Sequence, residues 1–314
     1  MAKYVKVSTV NVQPCHVKLK PDNMDIVNYV IANLERNINQ VLPDAPDLIV
    51  LPEVCDRPEG FANIHERLDY YAYRGDKVLH YLQKKARENN CYITYAAQIV
   101  VDGIMRNCCQ MIGRKGEIVG IYKKNYPVIR ENTDLNIMAG SEATIFECDF
   151  GRVGAVICFD MNFDEYRQRM KEQKPDLVVF TSGFHGSFLQ NYFAYDTRSY
   201  LVSSVGYAQI HGGIISPVGE KIAETTTYYN HLTMTLNMDY EVCHLDYHLG
   251  KLAELKAKYG PKVKIHDPGD LGSVLISSET EECSVHDMLK EFDIITLDEY
   301  IRRSIAHRNQ CIAE

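Results

Sequence analysis

The spacing of apolar positions changes period along the first third of the chain. VKVSTVNV, Val5 to Val12, alternates polar and apolar residues and predicts a strand, and beyond Pro21 and Asp22 the residues Val27, Val30, Ile31, Leu34, Ile38 and Val41 recur at helical spacing. DLIVLPE, Asp47 to Glu53, predicts a short apolar strand closed by Pro52. A second helix is expected from about Asp76 to Asn90, with the strand CYITYAAQIV after it. Strands alternating with helices are the pattern of an α/β sheet with helices on its faces. The middle of the chain turns to hairpins: NCCQMIGRKGEIVGIYKK folds back around Arg114 to Gly116, and TIFECDFGRVGAVICF around Phe150 and Gly151. A helix from about Asp164 to Gln173, the strand DLVVF, a helix through Gln190 to Tyr200 and the strands SSVGYAQI, GGIISP and HLTMTLNM complete a mixed sheet. Past about Leu245 the pattern loosens. GPKVKIHDPGDLGS reads as a long irregular connection, and ITLDEYIRRSIAHRN as one more helix.

Length and charge narrow the function classes. A chain of 314 residues is ample for a sizeable core. Its formal charge of -8, with no run of lysine and arginine longer than a pair, leaves no positive field for phosphate backbones, so nucleic acid is not an expected partner. No apolar run approaches the roughly 20 residues of a membrane helix. The amino terminus alternates charge with apolar residues and reads as mature sequence, and ten irregularly spaced cysteines suit a reducing compartment, so a cytoplasmic protein is expected.

Those cysteines do not suggest a metal. There is no C-x-x-C, and Cys108 and Cys109 on a strand point to opposite faces. His244 and His248 in HLDYH have the spacing of one helical face but lack the glutamate of H-E-x-x-H, so they are read as solvated surface residues and no metal is expected.

Three reactive residues stand at strand ends, where a side chain can leave the sheet for a cleft: Glu53 closes LIVLPE, Lys124 closes GEIVGIYKK and Cys158 closes VGAVIC. Taken singly they read as an exposed carboxylate, a solvated lysine and a core thiol. As an ordered set they resemble the nitrilase, or carbon-nitrogen hydrolase, superfamily. LPE holds the first, Y-x-K-x-[HY] appears in GIYKKNYP, and G-R-V-G-x-x-[IL]-C-[YF]-D in FGRVGAVICFD. A fourth word, GGIISPVGEKIAET, fits the family's strand-turn-strand at Ile214, Pro217 and Gly219 but puts Gly212 at its serine position. The resemblance covers about residues 3 to 240. CFDMNFDE departs from it, with Asn162 in place of an arginine and Asp164 in place of a proline, and TRSYLV puts Leu201 and Val202 where a polar pair is usual.

The resemblance implies an α/β fold in the form of a four-layer α-β-β-α sandwich, with a catalytic domain over residues 1–245 and a C-terminal extension over 246–314 for packing or subunit contact. It implies hydrolysis of a linear amide or N-carbamoyl bond of a small molecule through a thioester on Cys158, with no metal or organic cofactor, in a homodimer or larger assembly. Glu53 is the expected general base and acid, and Lys124 with the Phe159 backbone N–H the expected oxyanion site, because an amide is a poor electrophile and a thiol is mostly protonated at neutral pH. Some family members carry a further substrate-positioning glutamate, for which Glu131, expected in a loop, is preferred over Glu142. His185, in FTSGFHGS, is a candidate substrate contact. Three alternatives stay open: a nitrilase acting on a C≡N bond, a Cys158–His185 pair of the papain type, and a non-catalytic binding module.

Overall fold

The computed structural model describes residues 1–16, 22–207 and 210–312. In chain order the elements are β1 (Tyr4–Val10), α1 (Asn23–Ile38), β2 (Leu48–Val50), α2 (Ile64–Arg74), α3 (Lys77–Asn89), β3 (Tyr92–Val101), β4 (Ile104–Ile112), β5 (Ile118–Lys123), α4 (Ile129–Leu135), β6 (Ile145–Cys148), β7 (Gly151–Ile157), α5 (Asp164–Gln173), β8 (Leu177–Ser182), α6 (Phe188–Thr197), β9 (Tyr200–Val205), β10 (Gly213–Ile215), β11 (Lys221–Glu224) and β12 (His231–Asn237). They are followed by β13 (Tyr240–His244), α7 (Leu249–Tyr259), β14 (Val263–His266), β15 (Ser273–Ser278), α8 (Val285–Glu291) and α9 (Leu297–Gln310).

Two compact units result, one from Val5 to Thr235 and one combining Met1–Tyr4 with Leu236–Glu314. The first holds two six-stranded sheets, ordered β12-β1-β2-β3-β4-β5 and β11-β10-β9-β8-β7-β6. Each sheet has a parallel centre, β1 to β3 in one and β7 to β9 in the other, flanked by antiparallel hairpins. The central strands β2, β8 and β9 are buried throughout, as expected for strands covered on both faces. α1 and α3 cover the first sheet with Ile26, Val27, Val30, Leu34, Ile38, Val78 and Leu82, residues that the 3.6-residue period brings to one side. α5 lies on the second sheet, where the Tyr166 hydroxyl donates to the Ala155 carbonyl. The inner faces are stitched by polar side chains: Thr9 donates to the Ser203 carbonyl at 2.7 Å and Ser204 to the Val10 carbonyl at 2.8 Å. The layers are therefore α-β-β-α, as expected.

Four local expectations are corrected. α2 was not foreseen, because its buried face consists of Tyr70, Tyr71 and Arg74 and carries almost no aliphatic periodicity. The strand expected over SSVGYAQI starts at Tyr200 and ends at Val205, and its Ala208 and Gln209 lie outside the described residues. GPKVKIHDPGDLGS is not one long connection. Its glycines and prolines flank β14, which pairs with β15 in the sheet β13-β15-β14 of the second unit, over a core that includes Leu255, Ile276 and Met288. His244 ends β13 and stacks on Tyr300 at 3.8 Å, while His248 is buried, so neither is the solvated surface histidine expected. No helix among the described residues is long and apolar enough to cross a membrane.

The loop after β2 is tied down by a buried ion pair. Arg74 meets Asp56 at 2.6 Å, Tyr95 donates to the same carboxylate at 2.6 Å and Tyr70 to the Asp56 carbonyl at 2.6 Å. Arg74→Met leaves that carboxylate buried without its cation and is expected to lower the unfolding free energy by about 3 to 5 kcal/mol in urea denaturation.

Candidate active site

Strand direction brings the three strand-end residues together. β5 runs the same way as β2 because two antiparallel steps separate it from β3, so Lys124 emerges on the side where Glu53 leaves β2. Lys124 Nζ donates to Glu53 Oε1 at 2.8 Å and to Glu131 Oε2 at 2.9 Å, with the lysine side chain 2% exposed. Asn107, on β4, bridges the same carboxylates, with Nδ2 2.8 Å from Glu53 Oε1 and 2.7 Å from Glu131 Oε1. The Gly183 N–H donates to Glu53 Oε2 at 3.2 Å. Gly183 is required by close approach, since a Cβ there would lie 2.8 Å from the Tyr207 ring.

Cys158 stands where β7 passes into a 3₁₀ turn and adopts a left-handed φ of 47°, uncommon for a residue with a Cβ. Asp160 fixes this elbow: its buried carboxylate accepts from Tyr122 Oη at 2.7 Å, Tyr126 N–H at 2.7 Å and Ile157 N–H at 3.2 Å. Burial outweighs those donors and lifts its pKa to about 6. Val54, a β-branched residue next to Glu53, is also left-handed at φ 46°. Two strained residues thus flank one cavity of about 160 Å³ whose wall includes Glu53, Lys124, Glu131, Cys158, Arg57 and Tyr207.

Charge sets the resting protonation. Burial raises the Glu53 carboxyl, but the Lys124 charge and hydrogen bonds from Lys124, Cys158 and Asn107 win, and it titrates below its ordinary value. Burial opposes the Lys124 charge, which Glu53 and Glu131 more than restore. For Cys158, burial and then the Glu53 charge push the thiol up to about 12, while Lys124, Gly183 and Ser182 lower it only in part. Two carboxylates already share the Lys124 charge, so its lowering of the thiol does not prevail. The resting site is thus a thiol beside an ionised glutamate.

The remaining candidates separate clearly. Glu131 sits in α4 and not in a loop, because its side chain accepts the Val128 N–H at 2.9 Å and so caps that helix. Glu142 is exposed and contributes only its carbonyl to Asn125. The Phe159 ring is 38% exposed and packs edge-on against Phe163. His185 Nδ1 accepts the Ser187 N–H at 2.9 Å, and neither His185 nor Phe159 forms part of the cavity wall. Cys158 takes its partners from Glu53, Ser182 and Gly183, not from His185. Asn107 was missed, since a lone amide in a strand carries no spacing signal. Gly212 at the serine position has a steric cause: a Cβ would lie 2.4 Å from the Ser203 carbonyl oxygen and 2.6 Å from Asn11 Oδ1. Among the described residues no group of three His, Cys, Asp or Glu side chains could hold a metal ion.

A family model described as carbon-nitrogen hydrolase matches residues 17–233. The chain belongs to that family. The chloroplastic omega-amidase of Arabidopsis thaliana is 23% identical over 237 residues, a match covering 68% of this chain and 64% of that protein. Nit3 of Saccharomyces cerevisiae, a member of branch 10 of the nitrilase superfamily, superposes with a TM-score of 0.60 at 17% identity over 75% of this chain and 90% of its own. The amidase of Nesterenkonia sp. AN1, solved as a variant with the acetamide moiety of fluoroacetamide added covalently at its active-site cysteine, gives 0.59 at 13% identity over 82% and 97%. These likenesses establish the nitrilase-type sandwich.

Because the thiolate form is suppressed at rest, alkylation of Cys158 by iodoacetamide is expected to keep rising with pH, without a plateau below about pH 10. Peptide mass spectrometry across a pH series measures this directly. A plateau near neutrality means a thiolate–ammonium pair at rest.

Proposed function

We propose that the protein is a cysteine-dependent amidase that cleaves a linear amide of a small molecule through a thioester on Cys158. The observation that carries this reading is the buried ammonium of Lys124, held by two carboxylates on the wall of the cavity that also contains the thiol. A thiol whose pKa is raised to about 12 needs a base at the moment of attack, and Glu53 is ionised and hydrogen-bonded to it.

In the first half-reaction Glu53 takes the thiol proton as sulfur bonds to the carbonyl carbon, and the carbonyl π electrons move onto oxygen. An ammonium has three donors, and Glu53 and Glu131 occupy two. The third supports the oxyanion together with the backbone N–H of Phe159, which directly follows Cys158 although the Phe159 ring stays off the cavity wall, each donor being worth about 3 to 4 kcal/mol in such sites. Collapse of the intermediate breaks the C–N bond, and Glu53 returns its proton to the departing nitrogen. Water activated by Glu53 then releases the acid from the thioester. Glu131 and Asn107 are positioning residues: they fix Lys124 and Glu53, and we assign Glu131 no direct contact with the reacting atoms. His185 has no role in this scheme. Assembly as a homodimer or larger oligomer belongs to the same reading and rests on family resemblance.

Ammonia release from aliphatic amides, N-carbamoyl amino acids and nitriles, with Cys158→Ala in parallel, tests the proposal. Release from amides by the wild type alone is the expected result. Release only from nitriles makes the protein a nitrilase, and silence across the panel in a folded protein removes the hydrolytic reading. Glu131→Gln, which keeps the shape but removes one of the two charges on Lys124, is expected to lower kcat by roughly 100-fold with KM nearly unchanged. A change in KM alone makes Glu131 a substrate contact instead.

A further inference from the structure

A second cavity, a groove of about 660 Å³ against about 160 Å³ at Cys158, opens on the first sheet beside α2 and α3. Its wall takes Leu68 and Ala72 from α2, Leu79 from α3, and Ile99, Gln110 and Ile121 from β3, β4 and β5. Gln110 lies directly across from Tyr95 on β3 and Ile121 on β5, so these three share one face of the sheet. Val100 and Ile118, on the same wall, stay 62% and 38% exposed, which leaves apolar surface open to water. Size and apolar character are those of a small-molecule site, in which a few polar groups fix orientation.

Of the buried polar groups on that wall, Gln110 stands out. The Tyr71 hydroxyl donates to Gln98 Oε1 at 2.6 Å, and Arg74 donates to Asp56 at 2.6 Å and to the Gln98 carbonyl at 2.7 Å. Gln98 Nε2 in turn reaches Glu131 Oε1 at 3.5 Å. Gln110 is 2% exposed, yet its Nε2 has no hydrogen-bond partner among the described residues. β4 is paired on both sides, so the backbone groups around that amide are already taken up in the ladders. A buried N–H left without an acceptor is destabilising, and a ligand oxygen in the groove removes that penalty.

Charge decides which oxygen fits. Arg74, the one cation on the described wall, is neutralised by Asp56, while Asp76 and Asp102 add negative charge. A carboxylate or phosphate is therefore disfavoured, and a neutral carbonyl is preferred. We propose that this groove is a second binding site, for an uncharged, mostly apolar molecule whose carbonyl oxygen accepts from Gln110 Nε2. Gln98 belongs to the walls of both cavities, which places the occupant one residue away from the cluster of Glu131 and Lys124. This binding is independent of the hydrolytic reading, and its test needs no turnover.

Calorimetry with 4-phenyl-2-butanone measures it, with 3-phenylpropanoate as the near-isosteric anion. The ketone is expected to bind more tightly than the anion. Gln110→Leu is expected to weaken the ketone roughly 3- to 10-fold, the worth of one neutral hydrogen bond. Ala72→Phe, at an exposed helix position, fills the groove and is expected to abolish binding. Both losses, with binding retained in Cys158→Ala, support the proposal. A ketone that fails to bind, that binds no better than the anion, or that binds either groove variant as tightly as the wild type overturns it. Binding lost in Cys158→Ala locates the ketone at the catalytic cavity, and affinity that falls as protein concentration rises places a second copy of the chain over the groove; either result also overturns it. If Gln110→Leu fails to fold, Ala72→Phe carries the decision.

Discussion

The site depends on burying one ammonium between two carboxylates. Taking Lys124 out of water is expensive, and only close opposite charges with satisfied hydrogen bonds offset that expense. Glu53 and Glu131 both do so, and the Asn107 amide bridges the two acids. Each member lies on a different element: the loop after β2, the end of β5, the start of α4 and the middle of β4. The charge cluster therefore holds the sheet rim in register as much as it prepares the chemistry.

Burial first, and then the same cluster, keep the thiol neutral. A lone lysine would favour a thiolate, but burial and the Glu53 charge outweigh the lowering by Lys124, which two acids already share. In the proposed mechanism this arrangement keeps Glu53 ionised beside the thiol, ready to act as the base. It also makes the three groups titrate together, so an acid or alkaline limb in a rate profile belongs to the cluster and not to one residue.

Much of this was legible in the sequence. Apolar runs such as LIV and VGAVI are short, β-branched and closed by Pro52 or by a turn, so strand ends could be placed, and Glu53, Lys124 and Cys158 with them. α1 and α3 followed from aliphatic periodicity. What was hidden had physical reasons. The buried face of α2 is aromatic and charged, β14 is four residues long between breakers, and Asn107 gains its meaning only from two carboxylates distant in the chain.

The neutral thiol has a further consequence for durability. Peroxide and related oxidants attack thiolates and drive them up the ladder to sulfenic and then irreversible acids. A nucleophile that acquires charge only as substrate arrives presents those oxidants with little to attack between turnovers. Under the proposed mechanism, suppressing the thiolate slows inactivation by oxidation, even though the nucleophile is a sulfur on a cavity wall.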